Sequence, residues 1–372
     1  MELESSLWED RYVFELFKVD VGLPEKVTLH REQSLLLKEL LEGTDIAVSA
    51  PTSFGKSFII DAFIKLKRPD TVMILVPTIA LADETRRRIQ KKFSSEYKVI
   101  TTTDATLENK NILIFPQERA LAYLKIIEQI DILVIDEFYK ASSAFDKQRS
   151  PSLIKAMLKL GRIAKQRYYL APNISEISGN VFTENMKFLK LDFTTVFLQK
   201  HDYSKEVGKD DKLKSDKLIE ILNDRSQKTL IYAGTYKNIE LIATLLLETY
   251  EEHSNSLLTD FSEWLSENYS YNWLLTKFVP RGFGIHSGRL HRSLSQIQIK
   301  LFEEENGLNS IISTSSIVEG VNTSAENVII WMNKNGRSNL NDFTYKNIIG
   351  RGGRMFKYFI GQIYLLSPPP PP

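Results

Sequence analysis

A loop with the composition of a phosphate-binding site follows an apolar segment near the start of the chain. The segment Asp45–Ala50 leads into Pro-Thr-Ser-Phe-Gly-Lys-Ser and then a helical stretch, with Ala50 where the usual pattern has its first glycine. In a strand–loop–helix of this kind, backbone N–H groups hold phosphate oxygens, the lysine reaches the β- and γ-phosphates, and the serine ligates Mg²⁺. A chance Gly-Lys-Ser turn is the alternative. The predicted phosphate-binding residues are Thr52, Ser53, Phe54, Gly55, Lys56 and Ser57.

Two adjacent carboxylates end a second apolar run. The pattern Asp131–Asp136 is typical of a buried strand, and Glu137 follows it directly. A carboxylate at the end of such a strand can hold Mg²⁺, and the next glutamate can polarise an attacking water. A pair that only caps a helix is the alternative. Because the lysine-bearing loop lies upstream, we predict in-line hydrolysis of a nucleoside triphosphate, with Ser57 and Asp136 as the metal ligands.

These groups need a scaffold that brings strand ends together, and the pattern of the whole chain predicts one. Short apolar runs alternate with amphipathic helical segments. Because most runs are continuously apolar, they predict strands covered by helices on both faces of a parallel sheet. The sequence therefore predicts a doubly wound α/β fold that occurs twice. The predicted strands are Asp45–Ala50, Thr71–Val76, Lys98–Thr102, Asn111–Phe115, Asp131–Asp136, Arg167–Leu170, Thr229–Ala233, Gly282–His286, Ser310–Thr314, Asn327–Met332 and Gln362–Leu366.

A polar, charged segment separates the two series of strands. We interpret residues 199–217 as an interdomain linker or surface loop. The predicted first domain covers 1–198 and includes a short leading helical segment. The second covers 218–367, with a helical insertion at about 251–277. The five prolines at 368–372 predict an extended, stiff tail.

Composition excludes several classes of protein. The 372 residues include 48 Lys and Arg against 47 Asp and Glu, which excludes a histone-like polycation but leaves room for a local basic groove. The chain has no cysteine, so disulfides, thiolate metal sites and cysteine nucleophiles are excluded. Its first residues are acidic and lack the apolar core of a signal peptide. We therefore expect a soluble cytoplasmic protein without a membrane partner.

The ordered set of motifs resembles that of superfamily two DExD/H-box helicases, and most of all their superkiller (Ski-type) branch. The resemblance extends from about Leu29 to Leu366 and depends on the order of the motifs more than on any one of them. The matching segments are Ala50–Ser57, Val76–Leu81, Pro116–Arg119, Asp136–Tyr139, Ile285–Gly288, Ser313–Asn322 and Asn347–Arg354.

This resemblance implies two tandem RecA-like domains, with ATP and Mg²⁺ between them. It implies a partner, either single-stranded or partly duplex DNA or RNA, and a prokaryotic role in genome maintenance or phage defence. Further contacts with ATP are implied for Gln33, Gly320 and Asn347. The residues expected to contact nucleic acid are Pro77, Thr78, Arg119, His286, Ser287, Thr314 and Ser315.

Two arginines near the end of the chain have a role that can be argued from chemistry. Arg351 and Arg354 lie three residues apart after a helical stretch, so both can point into one cleft. A planar guanidinium from a second domain stabilises the charge that develops on the γ-phosphate, an effect of roughly 10³–10⁵ in rate. We predict that both are catalytic. Two solvated arginines beside flexible glycines are the alternative.

A basic run on an apparent helix is a weaker candidate for contact with nucleic acid. Arg88, Lys91 and Lys92 lie at i, i+3 and i+4, and therefore on one face. That face is suited to sequence-independent phosphate contacts, and a solvated charged face is the alternative.

Departures from the family pattern leave rival functions open. Asn347 stands where the family has Gln, and Leu170-Ala171-Pro172-Asn173 lacks both hydroxyls of the family's Ser-Ala-Thr motif, which is associated with strand separation. One rival is therefore a nucleic-acid-stimulated ATPase switch that does not unwind. The other is a scaffold with a vestigial nucleotide site. The Ski-type branch continues into a winged helix and a ratchet domain beyond its sixth motif, so further domains or a protein partner are also expected.

Overall fold

The computed structural model describes residues 18–19, 27–29, 31–51, 54–191, 196–317, 323, 325–353 and 360–371. The chain divides into two compact units, Met1–Phe193 and Thr194–Pro372. Both have an α/β architecture in which helices flank a sheet of parallel strands. The predicted fold class is therefore confirmed.

The first unit contains a seven-stranded parallel sheet within its described residues, in the order β5-β6-β4-β7-β8-β3-β9. A short antiparallel pair, β1 and β2, precedes it. The strands of this unit are β1 (Lys18–Val19), β2 (Val27–Thr28), β3 (Ile46–Ser49), β4 (Thr71–Leu75), β5 (Lys98–Ile100), β6 (Asn111–Phe115), β7 (Ile130–Ile135), β8 (Ala164–Ala171) and β9 (Lys187–Lys190). Its helices are α1 (Arg31–Leu41), α2 (Lys56–Lys67), α3 (Ile79–Phe93), α4 (Gln117–Ala120) and α5 (Ser150–Gly161), with 3₁₀ turns at Leu121–Lys125 and Phe138–Ala141.

Alternate side chains of the central strands pack into two separate cores, one on each face of the first sheet. On β4, Val72 and Ile74 lie in one core, whereas Met73 and Leu75 lie in the other. This is why the strands read as continuous apolar runs in the sequence. Burial on both faces fixes the strands in register, and their carboxyl ends form a single rigid edge.

The second unit contains a six-stranded parallel sheet in its described part, in the order β10-β17-β14-β11-β13-β12. A small antiparallel pair, β15 and β16, is separate from it. The strands are β10 (Phe197–Asp202), β11 (Thr229–Tyr232), β12 (Phe283–His286), β13 (Ser310–Ser313), β14 (Asn327–Ile330), β15 (Lys334–Asn335), β16 (Ser338–Asn339) and β17 (Ile360–Leu365). The helices are α6 (Ser204–Val207), α7 (Asp211–Ile221), α8 (Tyr236–Thr249), α9 (Ser256–Asn268), α10 (Leu274–Phe278), α11 (Arg292–Glu303) and α12 (Asp342–Ile349), with 3₁₀ turns at Val279–Arg281 and Ser315–Ile317.

The interpretation of residues 199–217 as a linker or loop is wrong. This segment contains most of β10, which pairs in parallel with β17, and it continues into α6 and α7. Strand β10 was missed because its side chains are mostly exposed and polar, as expected at the edge of a sheet. Strand β9, at the edge of the first sheet, was missed for the same reason. The other domain limits, including the tail, stay predictions.

No helix within the described residues is both long enough and apolar enough to cross a membrane.

Candidate nucleotide site and strand-end clusters

The predicted site residues of the first unit lie where parallel strands end. Ser49 of β3 is in register with Ala171 of β8, and the Ala50 N–H donates to the Ala171 carbonyl at 3.0 Å. Strand β7, which ends before Asp136, lies on the other side of β8. The phosphate-loop strand and the carboxylate strand are therefore separated by β8 alone, so their ends share one edge.

The loop after β3 turns sharply at Gly55. Its φ of +77° lies in the left-handed region, and a Cβ at this position would be 3.1 Å from Nε2 of Gln33. That amide donates to the Phe54 carbonyl at 2.7 Å, so buried Gln33 supports the loop from α1. Contact of Gln33 with adenine stays a prediction. Thr52 and Ser53 lie outside the described residues.

Lys56 begins α2, and its ammonium is held by the loop. Its Nζ donates to the Ala50 carbonyl at 2.7 Å and the Pro51 carbonyl at 3.3 Å. The cation therefore lies beside the backbone where the loop curves, at the N-terminal end of a helix that favours anions. Ser57 follows in the same first turn and is exposed.

Asp136 is fixed by the backbone at the end of β7. Its N–H donates to the Leu75 carbonyl at 2.9 Å, and its Oδ1 accepts the Glu137 N–H at 3.0 Å. Burial, and after it the charge of Glu137, raises the pKa of Asp136 to about 6, although the Lys56 ammonium acts in the opposite direction. At neutral pH the carboxyl is therefore ionised, but a nearby cation would stabilise its charge further.

Glu137 has a left-handed backbone, with φ of 54° and ψ of 41°. This conformation is uncommon outside glycine, asparagine and aspartate, and it costs on the order of 1–3 kcal/mol. Its carboxylate pairs with Lys140, with 2.8 Å between Oε2 and Nζ. The strained turn and the ion pair orient this carboxylate, as a residue that positions a water requires.

The residues of the loop and of this strand end fit MgATP. An ammonium hydrogen-bonded to loop carbonyls can exchange them for phosphate oxygens, and an exposed serine in the first turn of α2 can contact a cation. The raised pKa of Asp136 marks a carboxyl that lacks sufficient positive charge around it. A cation of the size of Mg²⁺ would supply that charge.

The predicted nucleic-acid contacts of the first unit are joined by a residue that sequence reasoning missed. Arg149, just before α5, donates to the Pro77 carbonyl and forms a two-pronged ion pair with Glu118, at 2.8 and 2.9 Å. Thr78 follows Pro77 and caps α3 by accepting the Leu81 N–H at 3.2 Å. Arg119 is exposed. Nothing in the sequence near Arg149 signals this connection.

In the second unit, His286, Thr314 and Ser316 form a cluster at the ends of β12 and β13. The Nδ1 of His286 lies 3.0 Å from Ser316 Oγ, which lies 3.3 Å from Thr314 Oγ1. Burial, and after it the charge of Arg351, lowers the pKa of His286 to about 4. The imidazole is therefore neutral at pH 7. His286, Ser287 and Thr314 are buried and Ser315 is partly exposed, so their contact with nucleic acid stays a prediction.

Arg351 is buried directly after α12, and its carbonyl accepts the Ala325 N–H at 2.9 Å. Asn347 is buried on the same helix. The charge of Arg351 acts on the imidazole of His286, a pairing that sequence reasoning did not make. Arg354 and Gly320 lie outside the described residues.

The parallel sheet, the glycine-bent loop with Lys56 and the strand ending in Asp136 define a P-loop nucleoside triphosphatase of RecA-like type. Residues 30–171 match the family model described as DEAD/DEAH box helicase. Together with homology to Hel308 and to DNA polymerase theta, this match supports a superfamily two DExD/H helicase related to the Ski type, which confirms the predicted resemblance. This homology supports a nucleic-acid-dependent ATPase of helicase type.

The chain is similar to several named proteins over most of its own length. It is 33% identical over 376 residues to Anti-bacteriophage protein B of Escherichia coli (strain K12), covering 98% of this chain and 51% of that protein. It is 25% identical over 400 residues to ATP-dependent DNA helicase Hel308 of Thermoplasma acidophilum, covering 98% of this chain and 56% of that protein. It is 24% identical over 370 residues to DNA polymerase theta of Caenorhabditis elegans, covering 87% of this chain and 23% of that protein. The chain thus spans about half the length of the first two relatives.

Proposed function

We propose that this chain is the ATP-hydrolysing motor region of a helicase or translocase that acts on nucleic acid. The observation that carries the proposal is the common sheet edge of the phosphate loop and the Asp136–Glu137 turn. Lys56 binds the β- and γ-phosphates, Ser57 and Asp136 hold Mg²⁺, and Glu137 orients and deprotonates the attacking water. Bound Mg²⁺ supplies charge neutralisation of the phosphates. Gln33 and Asn347 are proposed as further nucleotide contacts.

The second unit contributes positive charge in this proposal. Arg351 and Arg354 stabilise the γ-phosphate in the transition state, and hydrolysis therefore depends on both units. Pro77, Thr78 and Arg119 of the first unit contact a strand backbone, as do His286, Ser287, Thr314 and Ser315 of the second. Such contacts are independent of sequence and weaken with salt.

We further propose DNA as the track and defence against phage as the setting. The names of the three relatives support both points, because two of them include DNA and that of the most identical of the three includes bacteriophage. RNA remains the direct competitor of DNA in the experiment.

A second candidate function is a nucleic-acid-stimulated ATPase switch that does not separate strands. The segment Ala171-Pro172-Asn173 favours it, because neither hydroxyl of the family's Ser-Ala-Thr motif is present after β8. This segment also lies beside the phosphate loop, through the hydrogen bond from Ala50 to Ala171. Displacement of a labelled strand from a partial duplex distinguishes the two candidates.

The test is ATP hydrolysis by the chain alone, with single-stranded DNA, and with single-stranded RNA of the same sequence. We expect stimulation by DNA and its loss in Lys56→Ala. The matched control is Lys65→Ala on the same helix, which removes the same charge from a surface ion pair with Glu96. Hydrolysis that is absent under all conditions, or that survives in Lys56→Ala, would refute the proposal. Stronger stimulation by RNA would refute its choice of DNA.

A further inference from the structure

A buried carboxylate connects the phosphate-loop helix to the helix that follows it. Asp61, in the second turn of α2, is fully buried. Two cations from α3 contact it: Arg88 donates to Oδ1, and Lys92 donates to Oδ2 at 2.8 Å. These two basic residues therefore pair with a buried carboxylate of their own unit, so neither alternative given for the basic run, phosphate contact or a purely solvated face, describes them. A buried charge is tolerated only with such partners.

Arg88 makes a second contact that Lys92 lacks. Its guanidinium also donates to the Ser57 carbonyl at 3.1 Å. Ser57 is the proposed Mg²⁺ ligand in the first turn of α2. In the described part of the chain, Lys92 donates to Asp61 alone. The two cations thus share one carboxylate, but only Arg88 reaches the phosphate loop.

The other end of α3 is a proposed contact with nucleic acid. Thr78 caps this helix, and Arg88 lies ten residues further on, about 15 Å along the axis at 1.5 Å per residue. A hydrogen-bonded helix moves largely as a rigid body. A shift at Thr78 therefore displaces Arg88, and with it the peptide group of Ser57.

We propose that Arg88 is a positioning residue that transmits nucleic-acid contact at the start of α3 to Ser57 in the nucleotide site. The inference rests on the proposed function and adds the route by which a bound strand accelerates hydrolysis. Coupling carried by one such residue changes an equilibrium roughly 2- to 30-fold.

The experiment compares Arg88→Gln with Lys92→Gln. Each variant removes one of the two cations around Asp61, so a purely structural role predicts the same effect for both. The readout is the ratio of hydrolysis at saturating single-stranded DNA to hydrolysis without DNA, which is insensitive to a loss of DNA affinity. We expect this ratio to fall about tenfold in Arg88→Gln, within the range above. In Lys92→Gln it should stay within about twofold of the wild type.

Arg88→Lys keeps the test valid if the glutamine variant does not fold. The shorter lysine retains a charge for Asp61 but lacks the reach and planar fork of arginine, so we expect a normal unfolding midpoint and a reduced ratio. Equal stimulation ratios in Arg88→Gln and Lys92→Gln, or a wild-type ratio in Arg88→Lys, would overturn this inference but leave the proposed function standing. A wild-type protein that hydrolyses ATP without stimulation by any polymer would overturn the proposed dependence on nucleic acid, and the inference with it.

Discussion

The strand ends of the first unit lead into a lysine-bearing loop and two carboxylates, whereas those of the second lead into a neutral histidine and hydroxyl groups beside a buried arginine. Both edges belong to parallel sheets in which β3 and β11 occupy inner positions. After β3 comes the turn with Gly55 and Lys56. After β11 come Gly234 and Thr235, and Thr235 caps α8. The same scaffold therefore presents different chemistry at its two edges.

This difference follows from what each edge can bind. Two adjacent carboxylates and a phosphate loop can hold a cation and phosphates together, and Asp136 has a raised pKa that a cation would relieve. The second edge instead keeps its histidine uncharged beside Arg351, so its positive charge is carried by an arginine that cannot lose its proton. In the proposed function, the first edge binds the substrate and the arginine of the second edge stabilises charge that develops on it.

The largest effect is expected when the positive charge of the second edge is removed. Arg351→Ala should lower ATP hydrolysis on the order of 10³-fold, because the charge on the transferred phosphate loses its guanidinium. The matched control is Arg337→Ala, an exposed arginine of the same unit. The unfolding midpoint shows whether Arg351→Ala is folded. If it matches that of the wild type and the rate of ATP hydrolysis falls less than about tenfold, the division of roles between the two edges is contradicted.

The next effect concerns the carboxylates of the first edge. Glu137→Gln should lower hydrolysis roughly 10²-fold or more while ATP still binds, because the amide cannot accept a proton from water. Binding of a fluorescent ATP analogue and turnover are measured on the same preparation. Glu84→Gln, an exposed glutamate of the same unit, serves as the control. Loss of nucleotide binding together with turnover would assign Glu137 to binding instead.

A smaller effect is expected on the pH dependence of stability, and it depends on the neutral histidine of the second edge. The pKa of His286 is about 4 in the folded protein against an ordinary 6.5. As the pH falls below 6.5, the unfolded chain binds the proton first, so stability present at neutral pH is lost on approach to pH 4. Between pH 7 and pH 5, the wild type should lose roughly 2 kcal/mol more unfolding free energy than His286→Gln.

Urea unfolding followed by tryptophan fluorescence measures this difference. Three of the four tryptophans, Trp264, Trp273 and Trp331, belong to the second unit, so the signal reports mainly on it. Identical pH dependence in the wild type and in His286→Gln would show that the imidazole is protonated at ordinary pH values.

The smallest effect is expected when either of two matched helix caps is replaced. Thr78 and Thr235 have nearly the same backbone angles, and each accepts a helix N–H at 3.2 Å. Replacement of either by alanine should cost about 1 kcal/mol of stability in its unit. Only Thr78→Ala should also weaken binding of single-stranded DNA, measured by fluorescence anisotropy. Equal DNA affinities in the two variants would remove Thr78 from the proposed contacts.

The proposed catalytic groups of the first edge could be located from the sequence because each is encoded over a few consecutive residues. The glycine at the loop, the lysine after it and the carboxylates after an apolar run all depend on local backbone geometry. The eleven strands predicted from apolar runs all occur, with small differences at their ends. The edge strands β9 and β10 were missed because they bury little apolar surface and carry no comparable pattern.

The sequence by itself therefore determined which chemical groups are present and on which strand ends they lie. Only the tertiary structure decided their partners: Arg88 with Asp61 and Ser57, and Arg149 with Glu118 and Pro77. Strand and loop patterns reflect interactions within a few residues. These ion pairs and hydrogen bonds join positions 27 to 72 residues apart, and packing of whole helices against the sheet brings them together.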